Sequence, residues 1–233
     1  MIDTILFDLD GTLLKMDQEE FLKAYFNGLE EKFSKFGKDL ISPVQAGVVA
    51  MLKNDGKKTN EALFWEVFNS LFVTDENVEF DFQSFYENEF QLVKTTTKVE
   101  PLAKKVIDLL NNKGYELVLC TNPLFPRIAT HSRIRWGNLE VDDFSYITTF
   151  ENSSFSKPNL KYYQEVLSKL DLVPSQTMMV GNDVQEDLCV KKLNIKTFLV
   201  EDNLINRGDE KIITDYRGTF ADFYDFVLKL PER

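Results

Sequence analysis

The chain carries one histidine and two cysteines among its 233 residues, and these scarcities remove several chemistries at once. His131 stands beside Ser132, Arg133 and Arg135 with no second imidazole anywhere, so neither a histidine-based triad nor a zinc site can be assembled. Any acid–base chemistry falls to carboxylates. Cys120 ends an apolar run and Cys189 lies in a helical pattern, without C-x-x-C spacing. That excludes a disulfide framework and reads both as reduced core residues. Basic residues are in deficit, 27 Lys and Arg against 38 Asp and Glu, a net charge of −11. The balance disfavours nucleic acid or an anionic membrane surface as partner. A small anion can still bind where helix N-termini, one lysine and a divalent metal act locally. No stretch has the length of a membrane span or the form of a signal peptide, and the N-terminus enters a strand almost at once, so the chain reads as cytoplasmic.

What is present begins at the N-terminus. Ile5-Leu6-Phe7 is a short buried β-run, followed by Asp8-Leu9-Asp10-Gly11-Thr12. Gly11 lets the chain break sharply, and alternation puts Asp8 and Asp10 on one face at the strand's C-terminal edge. In open α/β sheets ligands bind at that edge. Two carboxylates held close there repel unless a cation, most naturally Mg2+, sits between them. The competing reading is an acidic turn, since Asp and Gly are ordinary turn residues.

After this strand the pattern turns helical for about eighty residues, more than a loop or crossover needs. Helical spacing runs through Leu22, Tyr25, Phe26, Leu29, Phe33 and Phe36, then Val44, Val48 and Leu52, then Phe64 to Phe72, then Phe82 to Val93. Lys53 to Thr59 reads as a polar turn. The insert holds eleven of the twenty phenylalanines, and these read as its core before they read as a ligand pocket. From Val99 onward strands and helices alternate, which argues a parallel sheet with covering helices. The expected order is a helix from Pro101, strand Tyr115 to Cys120, a helix from about Pro123, strand Ser145 to Phe150, a helix started by Pro158, strand Thr177 to Val180, a helix through Leu193, and strand Lys196 to Val200. A helix containing Phe220, Phe223, Tyr224, Val227 and Leu228 closes the chain, and Leu204 to Tyr216 is unassigned.

Parallel strands bring their ends to one rim. One end delivers Thr121 and Asn122 just before Pro123, where a helix's first turn offers free amides and Thr121 a hydroxyl to a phosphate oxygen; an ordinary N-cap is the alternative. Another leads into the loop Glu151 to Pro158, which places Lys157 just before a helix. A cation there is mildly unfavourable unless an anion intervenes, so in this setting Lys157 is expected to neutralise the aspartates and a transferring phosphoryl group, a solvent-facing side chain being the alternative. The next ends in Gly181-Asn182-Asp183-Val184-Gln185-Glu186-Asp187. Asp183 is the first choice as metal ligand, Asn182 offers an amide oxygen, and Asp187, a helical turn later, supports them; N-capping is the alternative. Phe125 is close enough to line the site and equally placed to be core.

With these residues the chain resembles the haloacid dehalogenase superfamily of phosphotransferases over essentially its whole length. Asp8-Leu9-Asp10-Gly11-Thr12 is similar to that family's first motif, Thr121-Asn122 to its second, Lys157 to its third, and Gly181 to Asp187 to its acidic fourth. The resemblance implies an α/β fold, a Rossmann-like doubly wound parallel sheet formed by residues 1–15 and 98–233, with an inserted all-helical cap domain at residues 16–97. It implies Asp8 as nucleophile, forming an aspartyl-phosphate with one oxygen on Mg2+. Asp10 would be general acid and base, with its backbone carbonyl on the metal. Metabolite-sized phosphomonoesters are the implied substrates.

One position departs from the pattern. The family commonly has an acid directly after the fourth-motif glycine, and here Asn182 takes that place with the acid displaced to Asp183. Asp10 separates subclasses, because dehalogenase and phosphonate-cleaving members lack a second aspartate. A phosphatase is therefore expected, with a sugar phosphomutase or a non-catalytic binding member as the alternatives.

Overall fold

A computed structural model describes residues 1–37 and 39–233 of the chain. Strand β1 (Thr4–Phe7) is wholly buried and lies in the middle of a six-stranded parallel sheet. Its partners are β4 (Glu116–Leu119) on one side and β6 (Thr177–Gly181) on the other. Beyond these lie β5 (Tyr146–Ile147) at one edge, and β7 (Lys196–Val200) and β8 (Tyr216–Gly218) toward the other, giving the order β5-β4-β1-β6-β7-β8. The chain leaves β1 for one half of the sheet and later returns to build the other half. This reversal beside β1 opens a crevice at the strands' C-terminal ends.

Period-two alternation assigns each face its helices. Leu6, Val118 and Met179 pack with Tyr162, Tyr163 and Val166 of α7 (Leu160–Lys169). Ile5, Phe7, Leu117 and Val180 pack on the other face with α5 (Ala103–Asn112) and α8 (Phe220–Lys229). Helix α6 (Arg127–Trp136) follows the end of β4.

Four helices fill the insert: α1 (Gln18–Phe33), α2 (Ile41–Leu52), α3 (Asn60–Leu71) and α4 (Val78–Glu87). Asp17, Thr59 and Asn77 cap α1, α3 and α4 by accepting backbone N–H bonds, which explains where each begins. Phe21, Tyr25, Leu29 and Phe33 form the buried stripe of α1. Phe33 meets Phe82 with ring centroids 4.6 Å apart. Each such phenylalanine contributes about 1.5–3 kcal/mol through burial, so the stripes are chiefly core, as their spacing suggested. The insert is entered and left through a short antiparallel pair, β2 (Leu14–Met16) and β3 (Thr97–Val99), which no periodicity announced.

Several expected boundaries are corrected. Helix α6 begins at Arg127 rather than near Pro123; Pro126 is its N-cap residue, and the four residues before it form an irregular loop. The strand expected over Ser145 to Phe150 shrinks to Tyr146–Ile147. Helix α7 starts at Leu160, where Asn159 caps it, two residues after the proline. The segment expected to be an α-helix up to Leu193 is a 3-10 helix, Leu188–Leu193, and the fourth helical stripe likewise breaks at Asn88 into a 3-10 run, Glu89–Thr96. Cys120 is buried, whereas Cys189 is only half-buried, and both are free thiols.

Candidate active site

Three adjacent strands end at the crevice. β1 releases Asp8, β4 releases Thr121 and Asn122, and β6 ends at Gly181 before Asn182 and Asp183. The ladder continues one step past β1, with Asp8 N–H donating to Val180 O (2.9 Å) and Cys120 N–H to Phe7 O (2.7 Å), so the backbone beneath the site is held in register. Asp8, Asp10, Thr121, Asn122, Asn182 and Asp183 all line one cavity of about 220 Å3. Of the two remaining candidates, Lys157 is buried against Asp8 and Asp187 is buried against Lys157.

Lys157 is 1% exposed, and its ammonium donates to Asp8 Oδ1 (2.8 Å) and Asp187 Oδ1 (2.7 Å). A buried cation between two buried carboxylates is tolerated only because each charge has a partner. Burial pushes the Asp8 carboxyl up to about 6 against the pull of Lys157, and Asp187 up to about 7 for the same reason. Burial acts to lower the Lys157 pKa, but the two carboxylates outweigh it and hold it well above the usual lysine value. Asp187 also accepts from Asp183 N–H through Oδ2 (2.9 Å), tying the lysine to the fourth-motif turn. Gly181 makes this possible: a Cβ there would lie 2.1 Å from Asp187 Oδ2.

Gly11 sits at φ +89°, and a Cβ on it would meet Asn182 Nδ2 at 2.3 Å. Asn182 is thereby packed against the first-motif turn. Its Oδ1 accepts from Thr12 Oγ1 (3.1 Å) and its Nδ2 donates to Asn203 O (2.6 Å). Asp183 caps the next turn, Oδ1 accepting from Gln185 N–H and Glu186 N–H at 3.0 Å each, while Oδ2 pairs with the half-exposed Arg207 at 2.7 Å. Both the capping and the ligand-presenting readings of this turn are compatible, because they use different oxygens. Among the described residues no group of three or more His, Cys, Asp or Glu side chains could hold a metal by itself. An ion at this cavity would complete its shell with amide, backbone, water or substrate oxygens, coordination that Mg2+ accepts. The hard oxygen donors of Asp8, Asn182 and Asp183 fit that requirement.

Four neighbours of the candidate site had no role assigned from the sequence. Arg133 of α6 is 2% exposed and pairs with Asp10 Oδ2, leaving Asp10 Oδ1 buried without a partner among the described residues. Its guanidinium lies 4.7 Å from the Phe125 ring centroid. Glu186 lines the cavity and accepts from Asn122 Nδ2 (3.1 Å). The previously unassigned Leu204 stretch covers the fourth motif, Ile205 N–H donating to Asn182 O and Val184 N–H to Ile205 O at 2.9 Å each. Asn60, at the start of α3, is fully buried and donates through Nδ2 to Pro123 O (3.1 Å) and Ser156 Oγ (3.3 Å), joining the insert to the loops that carry the second and third motifs. Phe125 lines the small cavity and also a larger chamber of about 810 Å3, whose other walls include Tyr25, Phe26, Phe64 and Trp65. Some insert aromatics thus face a chamber as well as the core.

Comparison with known proteins agrees with this fold. The family model for haloacid dehalogenase-like hydrolases matches residues 2–188. Pyrophosphatase PpaX from Oceanobacillus iheyensis is 24% identical over 199 residues, 85% of this chain and 83% of the relative. Phosphoglycolate phosphatase from Aquifex aeolicus is 29% identical over 125 residues, 48% of this chain and 56% of the relative. Among solved structures, a HAD phosphatase from Thermococcus onnurineus superposes with a TM-score of 0.60 at 18% identity over the whole of both chains, a likeness of fold. With the motif order, the parallel sheet and the family model in agreement, the chain belongs to the haloacid dehalogenase-like hydrolases.

Proposed function

We propose that this chain is a Mg2+-dependent phosphatase that hydrolyses a small phosphorylated compound through an aspartyl-phosphate on Asp8, with residues 16–97 as its cap. The observation that carries the reading is the state of the two first-motif carboxylates. Lys157 holds Asp8 Oδ1, while Oδ2 has only a 3.5 Å contact with the Thr12 hydroxyl and is the oxygen available to attack phosphorus. Asp8 is ionised above about pH 6, as a nucleophile must be. Asp10 lines the same cavity and its Oδ1 has no partner among the described residues, which suits the carboxyl to give a proton to the leaving oxygen and then to take one from water. Thr121 and Asn122 offer hydroxyl and amide donors to the phosphoryl oxygens, and Lys157 compensates their charge. Asp8, the Asp10 carbonyl and Asp183 or Asn182 would hold Mg2+, which when bound would supply charge stabilisation for the phosphoryl group. Relatives named as pyrophosphatase and phosphoglycolate phosphatase support a phosphatase over the phosphomutase and non-catalytic alternatives.

The test is phosphate release from an aryl phosphate, pyrophosphate, phosphoglycolate, sugar phosphates and nucleotides, with and without Mg2+, for wild type and Asp8→Asn. The expected result is release that needs both the metal and Asp8. Release that survives in Asp8→Asn, or transfer of the phosphoryl group to a sugar hydroxyl instead of water, would overturn the proposal.

A further inference from the structure

Arg133 has capacity that its resting contacts do not use. A guanidinium offers five N–H donors, yet among the described residues Arg133 pairs only with Asp10 and makes a 3.3 Å bond to Thr130 Oγ1, and its Nε is buried without a partner there. Stacking on Phe125 occupies the face of the group, and the bonds to Asp10 and Thr130 use only part of its N–H capacity. The surrounding charge is lopsided. Asp8, Asp10, Asp183 and Glu186 all line the cavity, and Arg133 is the one cation among the described residues lining it. Lys157 is already shared between Asp8 and Asp187. A phosphate compound bearing a second negative group would meet strong repulsion in this cavity unless that group reached a cation.

We propose that Arg133 is the receptor for a second anionic group on the substrate, so the site selects small phosphate compounds carrying a further carboxylate or phosphate. The proposal rests on the phosphatase reading and names its substrate class. The cavity volume of about 220 Å3 falls below the roughly 300–1,000 Å3 typical of sites for drug-sized ligands, which suits a compact double anion. Arg133 exchanges its resting partner, Asp10, for the incoming group, and charge-assisted bonds from one fork to a planar carboxylate or phosphate edge replace the ion pair. The same exchange frees Asp10 beside the leaving oxygen.

The test is calorimetric titration of the full chain, with Mg2+ in excess, using methylphosphonate as a singly functional probe and phosphonoacetate and methylenediphosphonate as doubly functional ones. Wild type is expected to bind at least one doubly functional probe about 10- to 100-fold more tightly. The carboxylate and phosphonate arms identify which second group is preferred. In Arg133→Met the preference is expected to fall at least tenfold, because the second anion then meets Asp10 unscreened. Metal chelation by the probes cancels in this ratio of ratios. Equal affinity of wild type for all three probes, within about threefold, would overturn the proposal, as would a preference that persists in Arg133→Met. If Arg133→Met does not fold, Arg133→Lys serves, since a point charge without the fork should reduce the preference severalfold. Binding needs no turnover, so failure to release phosphate from any ester would count against the hydrolytic reading, whereas loss of the probe preference would count against the subsite.

Discussion

Replacing Lys157 by methionine leaves two buried carboxylates, Asp8 and Asp187, facing a site that has lost its cation. Removing one partner from a buried ion pair costs about 3–5 kcal/mol, and here the cost should depend on pH in a defined direction. In wild type, burial already raises Asp8 to about 6 and Asp187 to about 7. A raised carboxylate pKa means the folded state binds more protons than the unfolded chain. Stability therefore declines as pH climbs from about 4 toward 7, and levels off once both groups are ionised. Without Lys157 both carboxylates lose the cation that lowers them, so both pKa values rise further and a proton is expected to stay bound to the folded state above neutral pH. Each retained proton lowers stability by about 1.4 kcal/mol per pH unit, or about 2.7 kcal/mol between pH 7 and 9. Urea unfolding at pH 7, 8 and 9 with metal chelated reads this directly. A stability gap between variant and wild type that stays constant across those pH values would refute the reasoning.

Three further expectations follow from particular contacts. Asn60→Leu removes the donors that reach Pro123 and Ser156, and should lower stability by about 1–3 kcal/mol in urea unfolding while raising KM, because the insert then sits loosely over the second and third motifs. Gly11→Ala places a methyl 2.3 Å from Asn182 Nδ2 at a φ of +89°; a loss of about 2 kcal/mol or more and weaker Mg2+ dependence are expected, measured by unfolding and by metal titration of activity. Asp215 is held down to about 2 by Lys191, Lys196 and the Thr197 N–H, although burial works the other way. A depressed folded-state pKa stabilises above the unfolded value and is lost as pH falls from about 4 to 2, so Asp215→Asn should cost about 1 kcal/mol at pH 5 and almost nothing near pH 2, the solvent-facing lysines being screened.

The parts of this molecule legible in its sequence are those whose determinants are local. The first motif could be read because a short apolar run, two carboxylates and a glycine stand in consecutive positions, and the helical stripes of the insert because one period repeats for several turns. Lys157, Asn182, Asp183 and Asp187 were found because each follows a strand end, and parallel strands gather their ends at one rim. Arg133 was invisible for the opposite reason. Its partner Asp10 is 123 positions away, arginine is rarely buried, and placing the helix start at Pro123 rather than Arg127 hid the inward face of α6. Asn60 is an ordinary residue beside a helix cap, and only the docked insert gives it Pro123 and Ser156 as acceptors. The pair β2 and β3 and the edge strand β8 are three residues each, too short for period-two alternation to register. The Leu204 stretch lacks periodicity because its order comes from backbone bonds to the fourth-motif turn.

The central claim is that phosphorus becomes covalently attached to Asp8. Acid quenching of Asp10→Asn during turnover of an activated aryl phosphate with Mg2+, followed by mass mapping of peptides, tests it most directly, because that leaving group needs no proton from Asp10 while the second half-reaction is slowed, so the intermediate accumulates. The account predicts a phosphorylated peptide containing Asp8, labile to hydroxylamine and absent from Asp8→Asn. Phosphate release with no covalent species on Asp8, or a phosphoryl group mapped to another side chain, would contradict it.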